Sequence, residues 1–375
     1  LVTATQSIEH QVALKLILND MAFARRYIDG IIARRKSEQA HVLSFGMMRY
    51  LSLYVYESHK ALTIVAPEVA ALLTVENADV IERSRHTVKL FDDSNPQIGG
   101  ALGVTDQFDT IADAHRDYFL DNTWFPPAKV LETDLAVYRY RSRLISTTAT
   151  MVFHLGLPPE LIKDHGAMGL ALRSLSEGLA RYINSFADAV TWQGPSFMDA
   201  ADLRAVKNKD IRSNKFYAGL FDPGLSDQAR TALVAFQCTM NFLVLIVTED
   251  PNPAAAEPLF KLKLVTLYHV LSSLAKFKAA FGASLAPAST TALDAILSHP
   301  TTALLTDATK KGLRNTLMHY IPRGAAEAQL ALDQPLCGLV ELYYPGRDFA
   351  GMATLVDEHV KLVAAAVDEW AAVGG

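Results

Sequence analysis

Cysteine is the scarcest chemistry in this chain of 375 residues: Cys238 and Cys337 are the only two. Two thiols cannot make a disulfide framework or a Cys-rich metal site. Each lies in an apolar setting and reads as a small buried hydrophobe. Glycine loops that cradle phosphates are missing as well, in both the Gly-x-Gly-x-x-Gly and the Gly-x4-Gly-Lys-Ser/Thr forms. The sequence has no His-Glu-x-x-His and no Gly-x-Ser-x-Gly elbow, which excludes the commonest zinc-protease and serine-hydrolase signatures. An excess of positive charge is lacking too. Lys and Arg number 35 against 40 Asp and Glu, for a net charge of −5, which argues against a protein that coats nucleic acid over its whole surface. A clean membrane span is also absent. The longest apolar stretch, Thr231 to Val247, is interrupted by Gln237, Thr239 and Asn241, whereas a span needs about 20 apolar residues. It predicts a helix buried on most sides in a bundle, and no membrane partner. The first ten residues do not follow the charged-then-apolar order of a signal peptide. Together with unpaired cysteines this gives a cytoplasmic expectation.

What is present is apolar and helical. Half the residues are hydrophobic, enough to build a globular core. Leu14, Ile17, Met21, Ala24, Ile28, Ile31 and Ile32 repeat at the spacing of a helix with one buried face. Glu38 to Val65 does the same, with an aromatic stripe at Tyr50, Tyr54 and Tyr56. Further helices are expected at 67–91, 106–120, 127–155 and 159–192. Several follow prolines, which are tolerated in a first helical turn. Residues 92–106 read as a loop, and 197–221 as polar and partly helical. After a turn at 221–225, Ser226 reads as a helix N-cap. Helices are expected at 226–247, 255–281, 290–298, 301–321 and 349–373, and Leu339–Tyr344 as a short strand or a helical turn. No run of alternating β-type segments stands out. The predicted class is all-α, with a helical region of unknown role over 1–221 (a sub-boundary near 92–106) and a bundle over 222–375.

Most polar pairs have ordinary readings. Glu82 and His86, four apart, suit a surface pair better than a metal site. Asp92–Asp93 reads as the start of a loop. Arg204 to Lys215 carries Lys207, Lys209 and Arg212 before Phe216 and Tyr217. Such a run can track a nucleic-acid backbone and stack a base, or simply form a solvated face.

One segment differs: Lys310-Lys311-Gly312-Leu313-Arg314-Asn315-Thr316-Leu317-Met318-His319-Tyr320. Asn315 and His319 are four apart and share a helix face. Arg314 lies about 100° round from Asn315, with a stem long enough to reach the same edge. Histidine exchanges protons near neutrality, and arginine is a permanent planar cation suited to phosphate. The pair suits attack of an RNA 2′-hydroxyl on its own phosphodiester, with His319 handling the proton, Arg314 the phosphate charge, and Asn315 orienting one of them. One histidine supplies one proton-transfer group, so two copies of the chain would serve better. Lys310, Lys311, Tyr320 and Arg323 are the expected substrate contacts.

The Leu-Arg-Asn-x3-His-Tyr stretch resembles the Arg-x4–6-His motif of the HEPN superfamily (higher eukaryotes and prokaryotes nucleotide-binding). The helix order after residue 225 is similar to a HEPN bundle. Arg35 and His41 match the bare spacing but lack the Asn. The resemblance covers roughly the last 150 residues. It implies a metal-independent endoribonuclease without cofactor, acting on RNA as a homodimer, in toxin–antitoxin, phage-defence or RNA-processing settings. Inactive members imply the alternative, a helical interaction or scaffold protein with a protein partner.

Overall fold

Two long helices open the fold, Ile8–Ala33 and Glu38–Val65, each started by a serine. Ser7 accepts from the backbone N–H of His10, and Ser37 from that of Ala40. These caps satisfy amides that a helix start leaves unpaired. The expected faces are buried, from Leu14 to Ile28 in the first helix and through Tyr50 and Tyr54 in the second; Ile32, in the last turn of the first, is half exposed. The computed structural model describes residues 7–92, 100–124, 129, 131–190, 194–247, 250–324 and 329–374. Part of the expected 92–106 loop and the Pro126–Pro127 helix start lie outside these.

The chain is all-α in its bulk, with 16 α-helices among the described residues. It also holds a small antiparallel sheet of three strands. The central strand Leu135–Tyr140 lies between Arg143–Thr147 and Val206–Ile211. This corrects two expectations. The helix expected over 127–155 is a hairpin followed by the short helix Thr148–Leu155, and a strand replaces part of the polar segment 197–221. Leu135 and Val137 alternate inward, and Arg141 and Ser142 turn the chain at positive φ, 47° and 67°, as a tight hairpin requires. The 67–91 helix is likewise divided. It runs as Pro67–Ala70, Ala78–His86 and the 3-10 turn Thr87–Asp92, with breaks at left-handed Asn77 and at Leu90, whose φ is 50°. The 92–106 loop is shorter than expected, because helix Gly100–Phe119 begins inside it.

The C-terminal helices are Asp227–Leu245, Ala256–Phe281, Pro287–Leu297, Pro300–Thr306, Lys311–His319 and Phe349–Ala371. Leu339–Tyr343 is a helical turn. Asp227–Leu245 is buried on all sides from Ala229 to Leu243. Asn241 Nδ2 donates to Leu144 O (2.9 Å) and Asp368 Oδ1 (2.8 Å), and Gln237 Nε2 to the same Asp368 atom (2.7 Å), while Gln237 Oε1 is buried without a hydrogen-bond partner among the described residues. No described helix is long and apolar enough to cross a membrane. The turn expected at 221–225 is present, and one apolar core runs across it from Val12 to Ala371. The Phe221 N–H donates to Ala371 O at 3.1 Å.

Candidate functional site

The motif sits on its own short helix. The expected helix 301–321 breaks at Asp307, whose backbone leaves helical geometry and whose carboxylate accepts from Thr309 N–H at 2.8 Å. Helix Lys311–His319 then begins afresh. Leu313, Leu317 and Met318 are fully buried and fix which edge of the helix stays open. Gly312 lets that helix approach closely, since a Cβ there would overlap the Tyr343 ring.

The open edge forms one wall of a cleft of about 720 Å³. Arg314, Asn315, His319, Lys311 and Arg323 all line it, so the structure brings five of the expected residues together. Two do not join them. Lys310 stands over the Tyr344 ring, 5.9 Å from its centre. Tyr320, expected at the substrate, is fully buried, and its hydroxyl donates to Asp20 Oδ2 at 2.7 Å. The cause is the backbone: Tyr320 ends the helix at φ 68°, which swings the ring into the core instead of along the motif face.

The opposite walls supply residues that the sequence reading missed. Glu57 and Lys60 come from helix Glu38–Val65, Lys89 and Asp92 from the Thr87–Asp92 turn, Tyr268 and Lys276 from helix Ala256–Phe281. Six Lys and Arg side chains thus line the cleft against two carboxylates, and both carboxylates are committed to cations.

Glu57 is buried and forms an ion pair with buried Arg85; its other oxygen meets His319 Nδ1 at 2.7 Å. Burial pushes the Glu57 carboxyl upward, but the His319 hydrogen bond and the Arg85 charge outweigh it and hold the group below the usual carboxylate range. The His319 side chain is 44 % exposed. Its Nδ1 is engaged by Glu57, which leaves Nε2 as the ring nitrogen available to a ligand. A carboxylate behind an imidazole fixes its tautomer and stabilises the imidazolium.

Arg314 is held differently. Its side chain is 12 % exposed and its guanidinium lies 4.3 Å from the centre of the Tyr268 ring. The Asp92 carboxylate is 3.9 Å from it, and Arg314 Nε is buried with no hydrogen-bond partner. Asp92 is instead closely bound by Lys276 Nζ (2.8 Å) and His269 Nδ1 (3.1 Å). Burial alone would raise the Asp92 carboxyl, yet these bonds bring it down to about 2. Burial lowers the His269 imidazole to about 4, so this histidine is a neutral donor.

The other candidates are structural. His41 Nε2 lies 3.0 Å from Arg35 O in the turn between the first two helices, which accounts for the bare Arg-His spacing there. Glu82 and His86 stand 3.9 Å apart, and no group of His, Cys, Asp and Glu among the described residues is placed to hold a metal ion. Lys207 and Lys209 are exposed on the edge strand, but Phe216 and Tyr217 are buried, so no base can stack on them. Arg212 bonds the Glu132 and Lys129 carbonyls. Both cysteines are buried.

Compared with family models, curated proteins and solved structures, the chain matches none.

Glu57 left one trace in the sequence. It falls on the buried face of its helix among Tyr50, Tyr54 and Ala61, and a carboxylate on such a face requires a cationic partner.

Proposed function

We propose that the chain is a metal-independent endoribonuclease of HEPN type that cleaves RNA in the cleft of His319. The observation that carries this reading is a half-exposed imidazole whose rear nitrogen is held by a buried carboxylate, inside a cleft where cations outnumber acids. In the proposed reaction His319 Nε2 takes the proton of the ribose 2′-hydroxyl, and the oxygen attacks the adjacent phosphorus. Glu57 stabilises the imidazolium that forms. Arg314, Lys311 and Arg323 neutralise the charge growing on the phosphate, an electrostatic contribution that depends on the groups being positioned in advance. Asn315 orients the phosphate. The 5′-oxygen leaves with a proton, giving a 2′,3′-cyclic phosphate and a 5′-hydroxyl. A second copy of the chain would supply the acid for that step, which makes a homodimer part of the proposal, along with cytoplasmic action as a toxin or defence effector.

The test is cleavage of a labelled RNA in EDTA by the wild type and by His319→Ala. Loss of a general base should slow the reaction by roughly 10²–10⁴-fold. Undiminished cutting by the variant refutes the assignment. His319 is half exposed, so the variant should fold.

Arg314 favours a second reading. Its contacts with the Tyr268 ring and the Met318 sulfur are those of a residue that stabilises its own fold. On that reading the chain is a helical interaction module. Wild-type protein that leaves RNA intact, while His319→Ala changes only stability, would establish it.

A further inference from the structure

The weakest contact in the cleft is the most informative. A guanidinium paired for structural purposes makes short, often bidentate bonds to its carboxylate, at about 2.7–2.9 Å. Arg314 stands 3.9 Å from Asp92, beyond hydrogen-bond reach. Its Nε is buried without a partner, and its nearest other contacts are the Tyr268 ring and the Met318 sulfur. Leaving a buried cationic donor unsatisfied is costly. Among the described residues nothing corrects the deficit, because Asp92 is bound by other groups. His269 Nδ1 holds one of its oxygens at 3.1 Å and Lys276 Nζ the other at 2.8 Å, while Lys276 also bonds Phe91 O at 3.2 Å. The inner end of the cleft therefore contains one fixed anion and three donors arranged around it, one of which is under-bonded.

That arrangement has the chemistry of a phosphate site occupied by a side chain. We propose that Asp92 is an internal stand-in for a phosphate group, and that a phosphorylated ligand reaches the inner end of the cleft by taking Arg314 and Lys276 from it. A carboxylate holds its two oxygens in one plane, whereas a phosphate sets its terminal oxygens, two in a diester and three in a monoester, at tetrahedral directions. A phosphate can therefore meet the Arg314 Nε and Nη groups that Asp92 leaves apart. Asp92 sets the threshold for entry: weak anions fail to displace it, and a ligand also anchored by Lys60, Lys311 or Arg323 succeeds. The ligand chemistry is a phosphate monoester or diester, from a free nucleotide or an RNA strand. This proposal rests on the phosphate contact that the proposed function gives Arg314, but it concerns anion binding and not bond cleavage, so its failure is distinguishable from that of the ribonuclease reading.

The experiment titrates wild type and Asp92→Asn, as full chains, with inorganic pyrophosphate by calorimetry, and in separate arms with a mononucleotide and a short RNA. Removing the internal anion should tighten pyrophosphate binding on the order of tenfold or more, and Arg314→Gln in the Asp92→Asn background should abolish the gain. A gain with the mononucleotide alone assigns the subsite to free nucleotides, and a gain with RNA alone to a strand. Unchanged or weaker binding in Asp92→Asn, or a gain that survives Arg314→Gln, overturns the proposal. If Asp92→Asn is too unstable for calorimetry, pyrophosphate should raise its melting temperature more than that of wild type, because a ligand bound only to the native state stabilises it. No larger rise in the variant also overturns the proposal.

Discussion

Glu57→Gln is the sharpest probe of how the site is built. The carboxylate is 1 % exposed and neutralises Arg85, itself 5 % exposed. The amide keeps the shape and one acceptor oxygen but removes the charge, so Arg85 is left as a buried cation without a counter-ion. Breaking a buried pair by removing one partner costs about 3–5 kcal/mol. The retained acceptor places the expected loss near the lower figure, about 3 kcal/mol. The His319 bond adds little to it, because that side chain is 44 % exposed and water can replace the carboxylate. A loss of this size is a large part of a typical domain stability of about 5–15 kcal/mol. Pairing the change with Arg85→Met removes the stranded charge, and the double variant should recover to within about 1 kcal/mol of wild type. The assay is urea denaturation at pH 7 with linear extrapolation, requiring an unchanged slope. A single variant that loses under about 1 kcal/mol, or a double variant worse than the single, would refute the claim that the pair is a buried, mutually dependent unit.

Two further outcomes follow from the packing around Gly312 and from three buried histidines. Gly312→Ala should destabilise the chain by about 1–2 kcal/mol in thermal or urea unfolding: the Cβ overlaps the Tyr343 ring severely, which puts the overpacking cost near the upper end of about 1–3 kcal/mol, and alanine's helix advantage of about 1 kcal/mol offsets only part of it. A neutral or stabilised variant would place the two helices further apart than described. Burial lowers the His115, His269 and His359 imidazoles to about 4 from an ordinary 6.5, so the unfolded chain binds protons that the native one refuses. Unfolding free energy should therefore fall as pH drops from 6.5 towards 4, and a stability that stays flat between pH 7 and 5 would refute it.

What could be read from the chain alone depended on distance along it. Arg314, Asn315 and His319 share a cleft wall because their spacing is local and a helix of any length places them together. Their partners are remote: Glu57 precedes His319 by 262 residues, and no periodicity in helix Glu38–Val65 announces which cation will face it. Asp92 falls in a segment whose turn formers predict a loop start, and its partners His269 and Lys276 are likewise remote in sequence. The strands Leu135–Tyr140 and Arg143–Thr147 span six and five residues, too short for alternation to stand out against neighbouring helical spacing. The break at Asp307 needed a side chain to cap a new helix, and the burial of Tyr320 needed a positive φ at a residue that seldom adopts one.

That last residue also bears on how far the motif can travel. Tyr320 donates to Asp20, which forms a buried ion pair with Lys261, whose ammonium lies 3.9 Å from the centre of the Tyr320 ring. The end of the motif helix is thus spliced electrically into the first helix of the chain. A fragment beginning at residue 222 would keep Lys261 and Tyr320 but lose Asp20, and would keep His319 but lose Glu57. The Arg-Asn-x3-His segment is therefore not a transplantable cassette. Grafted elsewhere it would carry the motif's spelling without the charges that orient it, and recombination that preserves the site must move the first two helices together with helices Ala256–Phe281 and Lys311–His319.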